Sequence, residues 1–142
     1  MKSNFNIEKA NQDNEIKIET VTVADWNSIP HTFYKDISVK IITKEIIESG
    51  MVISFFQLYS GDFVALPVRF YKTAKHSATI DAVVKLNTIR IIWMNTALEN
   101  DTPPPAMRIK VVTVSKRLKL KYRFLNFKNF KEICARFHLQ VD

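Results

Sequence analysis

The spacing of apolar and polar positions changes period several times along the chain. In "EIKIETVTV" (15–23), Ile16 and Ile18 alternate with Glu15, Lys17 and Glu19, and a threonine/valine series continues the alternation. Strict alternation sets one face on a core and the other in water, which predicts a strand. "ADWNSIPH" follows as a turn around Pro30. "TFYKDISVKII" (32–42), rich in aromatic and β-branched residues, predicts a second strand. "MVISFFQLY" (51–59) is too apolar for an exposed edge and reads as a central strand. "SGD" (60–62) makes a turn with Gly61 at a positive-φ position, and "FVALPVRFY" (63–71) returns antiparallel. Pro67 has no backbone N–H to donate, so the later part of that strand belongs at an edge or bulge. "SATIDAVVK" (77–85) and "TIRIIWM" (88–94) form a hairpin around Leu86 and Asn87, and "MRIKVVTV" (107–114) adds another strand. Between them, "NTALENDTPPPA" (95–106) is a loop, since Pro103 to Pro105 cannot sit within a sheet.

Two segments break this rhythm. In "IITKEIIESGMVISFF" (41–56), Thr43 can cap a short helix and Glu45 favours its first turn, with Ile46 and Ile47 turned inward. Gly50 then ends the helix in a left-handed C-cap and launches the next strand. At the other end, Asn126 caps "FKNFKEICARFHL" (127–139), where Phe127, Phe130, Ile133, Cys134 and Phe137 recur at helical spacing. Seven to eight short strands at regular intervals predict a mainly all-β fold. We expect an antiparallel β-sandwich with a short helical corner and a C-terminal amphipathic helix. Residues 1–14 read as a flexible arm, and residues 15–142 as one domain that includes the helix at 126–139.

Charge sharpens the picture. The 142 residues carry a net charge of +7, unevenly placed. Residues 1–71 hold 7 Lys/Arg against 9 Asp/Glu, whereas residues 72–142 hold 14 against 5. From Arg108 to Arg136 ten bases face one acid, Glu132. Such a basic field attracts nucleic acid, anionic lipid headgroups or acidic polysaccharide. "KRLKLKYRF" (116–124) alternates, so as a strand it would align Arg117, Lys119, Lys121 and Arg123 at about 6.6 Å, twice the strand rise. Such a row could follow phosphates. Leu118, Leu120, Tyr122 and Phe124 would then face the core. A lysine-rich edge strand also guards a sheet against edge-to-edge association, which competes with the binding reading.

Candidate chemistry is sparse. His31, His76 and His138 lack ligand spacing, and Cys134, the single cysteine, lies within an apolar stripe where a thiol is structural rather than reactive. Asp62, Asp81, Glu99 and Asp101 are the carboxylates placed to serve as an acid/base pair. Two glycines exclude phosphate-cradling loops, and no cofactor is expected. Among the aromatics, Trp26 sits in a polar turn, where an exposed ring could stack on a ligand; Trp93, within "IIWM", belongs to the core. No run reaches the ~20 apolar residues of a membrane-spanning helix, and the polar "MKSNFNIEKANQDNEIKIE" lacks the core of a signal peptide.

Several elements together resemble a family. Trp26 before the second strand, Thr43, Ile46, Ile47, Gly50 and Val52 in the corner, Leu66-Pro67, "PPPAMRIKVVTV" and the closing "NFKNFKEICARFHL" are similar to an uncharacterised β-sandwich family common in Bacteroidetes. Its members often follow a lipoprotein or secretion signal. The resemblance spans roughly residues 20–140 and brings no catalytic residues. It implies a place in the cell envelope or outside the cell, whereas a native start at Met1 would imply the cytoplasm. The expectation is therefore a non-enzymatic structural or binding module of the envelope, with a protein or polysaccharide partner. The alternative is polyanion binding by residues 108–136. A free sheet edge leaves room for a homodimer.

Overall fold

A computed structural model describes residues 15–71, 76–95 and 102–139. Among these described residues, nine strands form two antiparallel sheets. They are β1 (Ile16–Val23), β2 (Asn27–Ile29), β3 (Thr32–Ser38), β4 (Met51–Gln57), β5 (Phe63–Ala65), β6 (Val68–Tyr71), β7 (Ser77–Lys85), β8 (Thr88–Asn95) and β9 (Met107–Val114). The order is β1-β9-β4-β5 in one sheet and β2-β3-β8-β7-β6 in the other. Among the described residues three helices accompany them: α1 (Lys44–Ser49), α2 (Lys116–Lys121) and α3 (Phe130–Phe137). The expected mainly-β, antiparallel, sandwich-like architecture is what the chain adopts.

The four-stranded sheet is buried on both faces, and strict alternation makes this possible. Val21, Val23, Met107, Ile109 and Val111 join Phe33, Ile80, Ile89, Ile91 and Trp93 in the core between the sheets. The intervening positions Ile16, Ile53, Phe55, Val112 and Val114 form a second core with Leu118, Phe127, Phe130, Ile133, Cys134 and Phe137. The helices thus make a third layer. Phe130 anchors it, its ring tilted against Phe55 at 5.0 Å and Phe63 at 4.9 Å between centroids. An ion pair from Lys131 to Asp62, at 3.2 Å, ties α3 to the turn between β4 and β5.

Several boundaries differ from the sequence reading, each for a local reason. The second strand stops at Ser38 because the backbone of the next residues bonds a turn instead: Val39 donates to Asn87 O (2.9 Å) and Asn87 donates to Ile42 O (2.8 Å). The segment 63–71 is two strands, since the chain leaves one sheet and enters the other at the cis Leu66-Pro67 bond. "NSI" in the expected turn pairs with β3 around Pro30 and His31, and His31 takes φ 65°. Helix α3 starts after Asn129, whose side chain accepts from Glu132 N; Asn126 forms a local turn onto Lys128 N. Ile46 is half-buried but Ile47 is exposed.

Gly50 is the instructive correction. Its φ is −91°, which is not left-handed. The glycine is required by space: a Cβ there would stand 2.5 Å from the Val114 carbonyl oxygen. Gly61, by contrast, does take the expected positive φ, at 92°.

Candidate functional site

The basic segment is not a strand. Ser115 accepts from Leu118 N at 3.2 Å and caps helix α2. Lys, Arg and Leu are strong helix formers, and no β-branched residue in 116–121 opposes them. One turn of helix also satisfies the single anchor this segment has, Leu118, which is buried. Leu120 and Phe124 are exposed rather than core, and Tyr122 is half-buried with its ring edge-on to Phe137.

The expected row of cations is therefore broken up. Arg117 and Lys121 lie one turn apart, with Lys119 on the other side of the helix. Arg117 is held by Glu15 through two hydrogen bonds, one of them from Nη2 at 2.6 Å. Lys119 Nζ donates to Gly50 O at 3.4 Å. Lys121 sits over the Tyr122 ring, and Arg123 over Phe124.

The Arg117 hydrogen bonds hold the Glu15 carboxyl below its ordinary range; burial opposes this, and the Arg117 and Lys121 charges assist. A depressed acid stabilises the fold above its unfolded pKa and loses that contribution as pH falls through the folded value. The melting-temperature gap between the protein and Glu15→Gln should therefore be full near pH ~6 and close below pH ~4. A gap independent of pH would show that the pair contributes nothing.

Other sequence candidates are dispersed. Trp26 is not an exposed platform: it is half-buried against the inter-sheet core, and its buried Nε1 has no hydrogen-bond partner among the described residues. Asp62 is engaged by Lys131, and Asp81 accepts from Ala82 N at 2.7 Å. Glu99 and Asp101 lie outside the described residues, as do residues 1–14. Cys134 is buried, and desolvation raises its thiol pKa, offset in part by the Lys110 charge. Among the described residues no three His, Cys, Asp or Glu side chains converge to hold a metal ion, and no helix is long and apolar enough to cross a membrane.

Lys110 was missed as a core residue. It is 2% exposed, on the helix-facing side of β9. Its Nζ lies 3.4 Å from Thr20 Oγ1 and 5.3 and 5.8 Å from the ring centroids of Phe63 and Phe130. The available signal was the amphipathic C-terminal helix, which needed a second sheet face to cover.

The concavity best suited to a ligand lies at one end of the sandwich, where β4 finishes and β9 begins. It encloses about 730 Å³. Phe56 of β4, Phe70 of β6 and Trp93 of β8 bring three rings to it. Phe56 and Phe70 are stacked at 6.4 Å and an interplanar angle of 12°, and Phe70 meets Trp93 edge-on at 5.1 Å. Trp93 Nε1 donates to Asn95 Oδ1 at 2.8 Å, which satisfies the polar edge of that ring. Pro103, Pro104 and Pro105 form a wall, with Pro104 buried. Prolines bring no N–H, so this wall offers no backbone donors. Tyr59, fully exposed, and Arg108 stand among the lining residues. Arg108 has no ion pair among the described residues. No carboxylate, imidazole or thiol lines the cleft among the described residues.

No family model, curated protein or solved structure matches this chain.

Proposed function

We propose that this protein is a non-enzymatic binding module that receives an apolar group of a partner in the aromatic and proline-lined cleft. The observation that carries this reading is the cleft itself. Its volume of about 730 Å³ falls in the range of ligand sites, and mainly apolar linings with a few polar groups are what such sites use. The lining suits apolar side chains of a protein partner better than a sugar. Sugar stacking needs an open ring face flanked by donors and acceptors, whereas Trp93 is only 6% exposed and the prolines supply no donors. The only titratable groups among the described lining residues are Tyr59 and Arg108, which favours binding over acid/base catalysis. A place in the cell envelope is part of this reading and rests on the family resemblance.

The test uses anilinonaphthalene sulfonate, a probe with an apolar aromatic body and an anion for Arg108. Saturable single-site binding with energy transfer from Trp93 is expected. Ala106 is exposed and lines the cleft, so Ala106→Trp fills the space without touching the core. That variant should weaken probe binding at least ~10-fold and leave the melting temperature in place. Equal binding by both proteins would remove the cleft as a site.

A further inference from the structure

A second surface lies at the C-terminal helices, and it does not depend on the cleft. Helix α2 starts where β9 ends, whereas the cleft lies where β9 begins. From Ser115 to Leu139 the chain holds eight bases and a single acid, Glu132. Two of those bases are in ion pairs, Arg117 with Glu15 and Lys131 with Asp62. Lys121, Arg123 and Arg136 are exposed and have no ion pair among the described residues.

These three cations surround an apolar tip. Phe124, between α2 and α3, is 91% exposed, an unusual position for a phenylalanine. The Arg123 guanidinium lies 5.1 Å from the Phe124 ring centroid. The Arg136 guanidinium and Lys121 Nζ lie 5.0 and 5.5 Å from that of Tyr122. Phe124, Tyr122, Lys121 and Arg136 line one shallow hollow together with Glu132. A guanidinium stacked on a ring keeps its N–H edge free for an oxyanion.

We infer that this surface docks on an anionic phospholipid bilayer, with Phe124 entering the interface and Lys121, Arg123 and Arg136 meeting headgroup phosphates and carboxylates. The pairing of an exposed aromatic tip with flanking cations is the arrangement that such an interface rewards: the ring gains from the acyl boundary and the cations from the surface potential. Duplex nucleic acid would be served by cations in a row at phosphate spacing, which folding of 116–121 into a helix removes. It would leave the Phe124 ring without a partner, since paired bases are already stacked.

Co-sedimentation of the full chain with vesicles tests this, using phosphatidylcholine alone and phosphatidylcholine with phosphatidylserine at roughly 3:1. Binding is expected only with phosphatidylserine, and should weaken as salt rises. Phe124→Ser should reduce it ~10-fold, and Arg123→Gln with Arg136→Gln roughly 30-fold. All three residues are exposed, so unchanged melting curves confirm that the variants are folded. No binding to the anionic vesicles, equal binding to neutral ones, or indifference to Phe124→Ser would overturn the inference. A duplex oligonucleotide bound more tightly than the vesicles would also overturn it, in favour of a nucleic-acid partner.

Discussion

Phe130→Ala is expected to destabilise the protein by about 3–5 kcal/mol, the range for deleting a fully buried aromatic ring. Phe130 is 2% exposed and, with Ile133, Cys134 and Phe137, packs α3 on the four-stranded sheet. Its ring touches Phe55 and Phe63 and lies 5.8 Å from Lys110 Nζ. The alanine variant would leave a cavity beside a buried lysine, adding the cost of an altered setting for that charge. Urea unfolding checks this. The midpoint should fall sharply with little change in slope, because the surface exposed on unfolding is nearly the same. A loss below about 1 kcal/mol would mean that α3 does not pack on the sheet as described.

Gly50→Ala is the second large effect, at about 1–3 kcal/mol of destabilisation. Space decides it: the new Cβ would fall 2.5 Å from Val114 O, a backbone atom held in the ladders of β9 with both β1 and β4. Gly50→Asn separates this account from a left-handed cap. Asparagine tolerates left-handed backbone and would recover stability in such a cap. Here it should be as harmful as alanine or worse, since its side chain is larger. Recovery with asparagine in thermal melts would restore the capping explanation.

These two residues show how far sequence reasoning reaches. The helical stripe of Phe127, Phe130, Ile133, Cys134 and Phe137 was legible, and all five side chains are buried. A stripe at that spacing can satisfy itself only by packing on something apolar. What it packs on was not legible. A β-sandwich by itself gives the sheet carrying β9 one buried face, and Lys110 carries no local mark of burial. In the fold the sheet's outward face is the floor of a second core.

The candidate site divides in the same way. Pro103–Pro105 was recognisable as a loop and Trp93 as core, but nothing local joins them to Phe56 and Phe70. Those residues come from four separate segments and meet because β4, β6 and β8 end where β9 begins. The basic segment failed for a different reason. "KRLKLKYRF" fits an alternating strand, yet Ser115 offers a cap and the segment winds into a helix where β9 ends. The period-2 pattern was accidental, and helix propensity with one buried leucine prevailed.

By itself, then, the sequence determined the mainly-β class, the hairpins at Gly61 and Asn87, the capped turn at Thr43, the closing helix and the basic C-terminal half. Each of these follows from short-range physics: alternation, positive φ, capping and charge composition. Only the tertiary structure decided the assignment of strands to two sheets, the third layer over β9, the burial of Lys110, the reason for Gly50, and the cleft between strand ends. Those depend on which surfaces meet, and residues far apart in the chain set that together by excluding water from two cores at once.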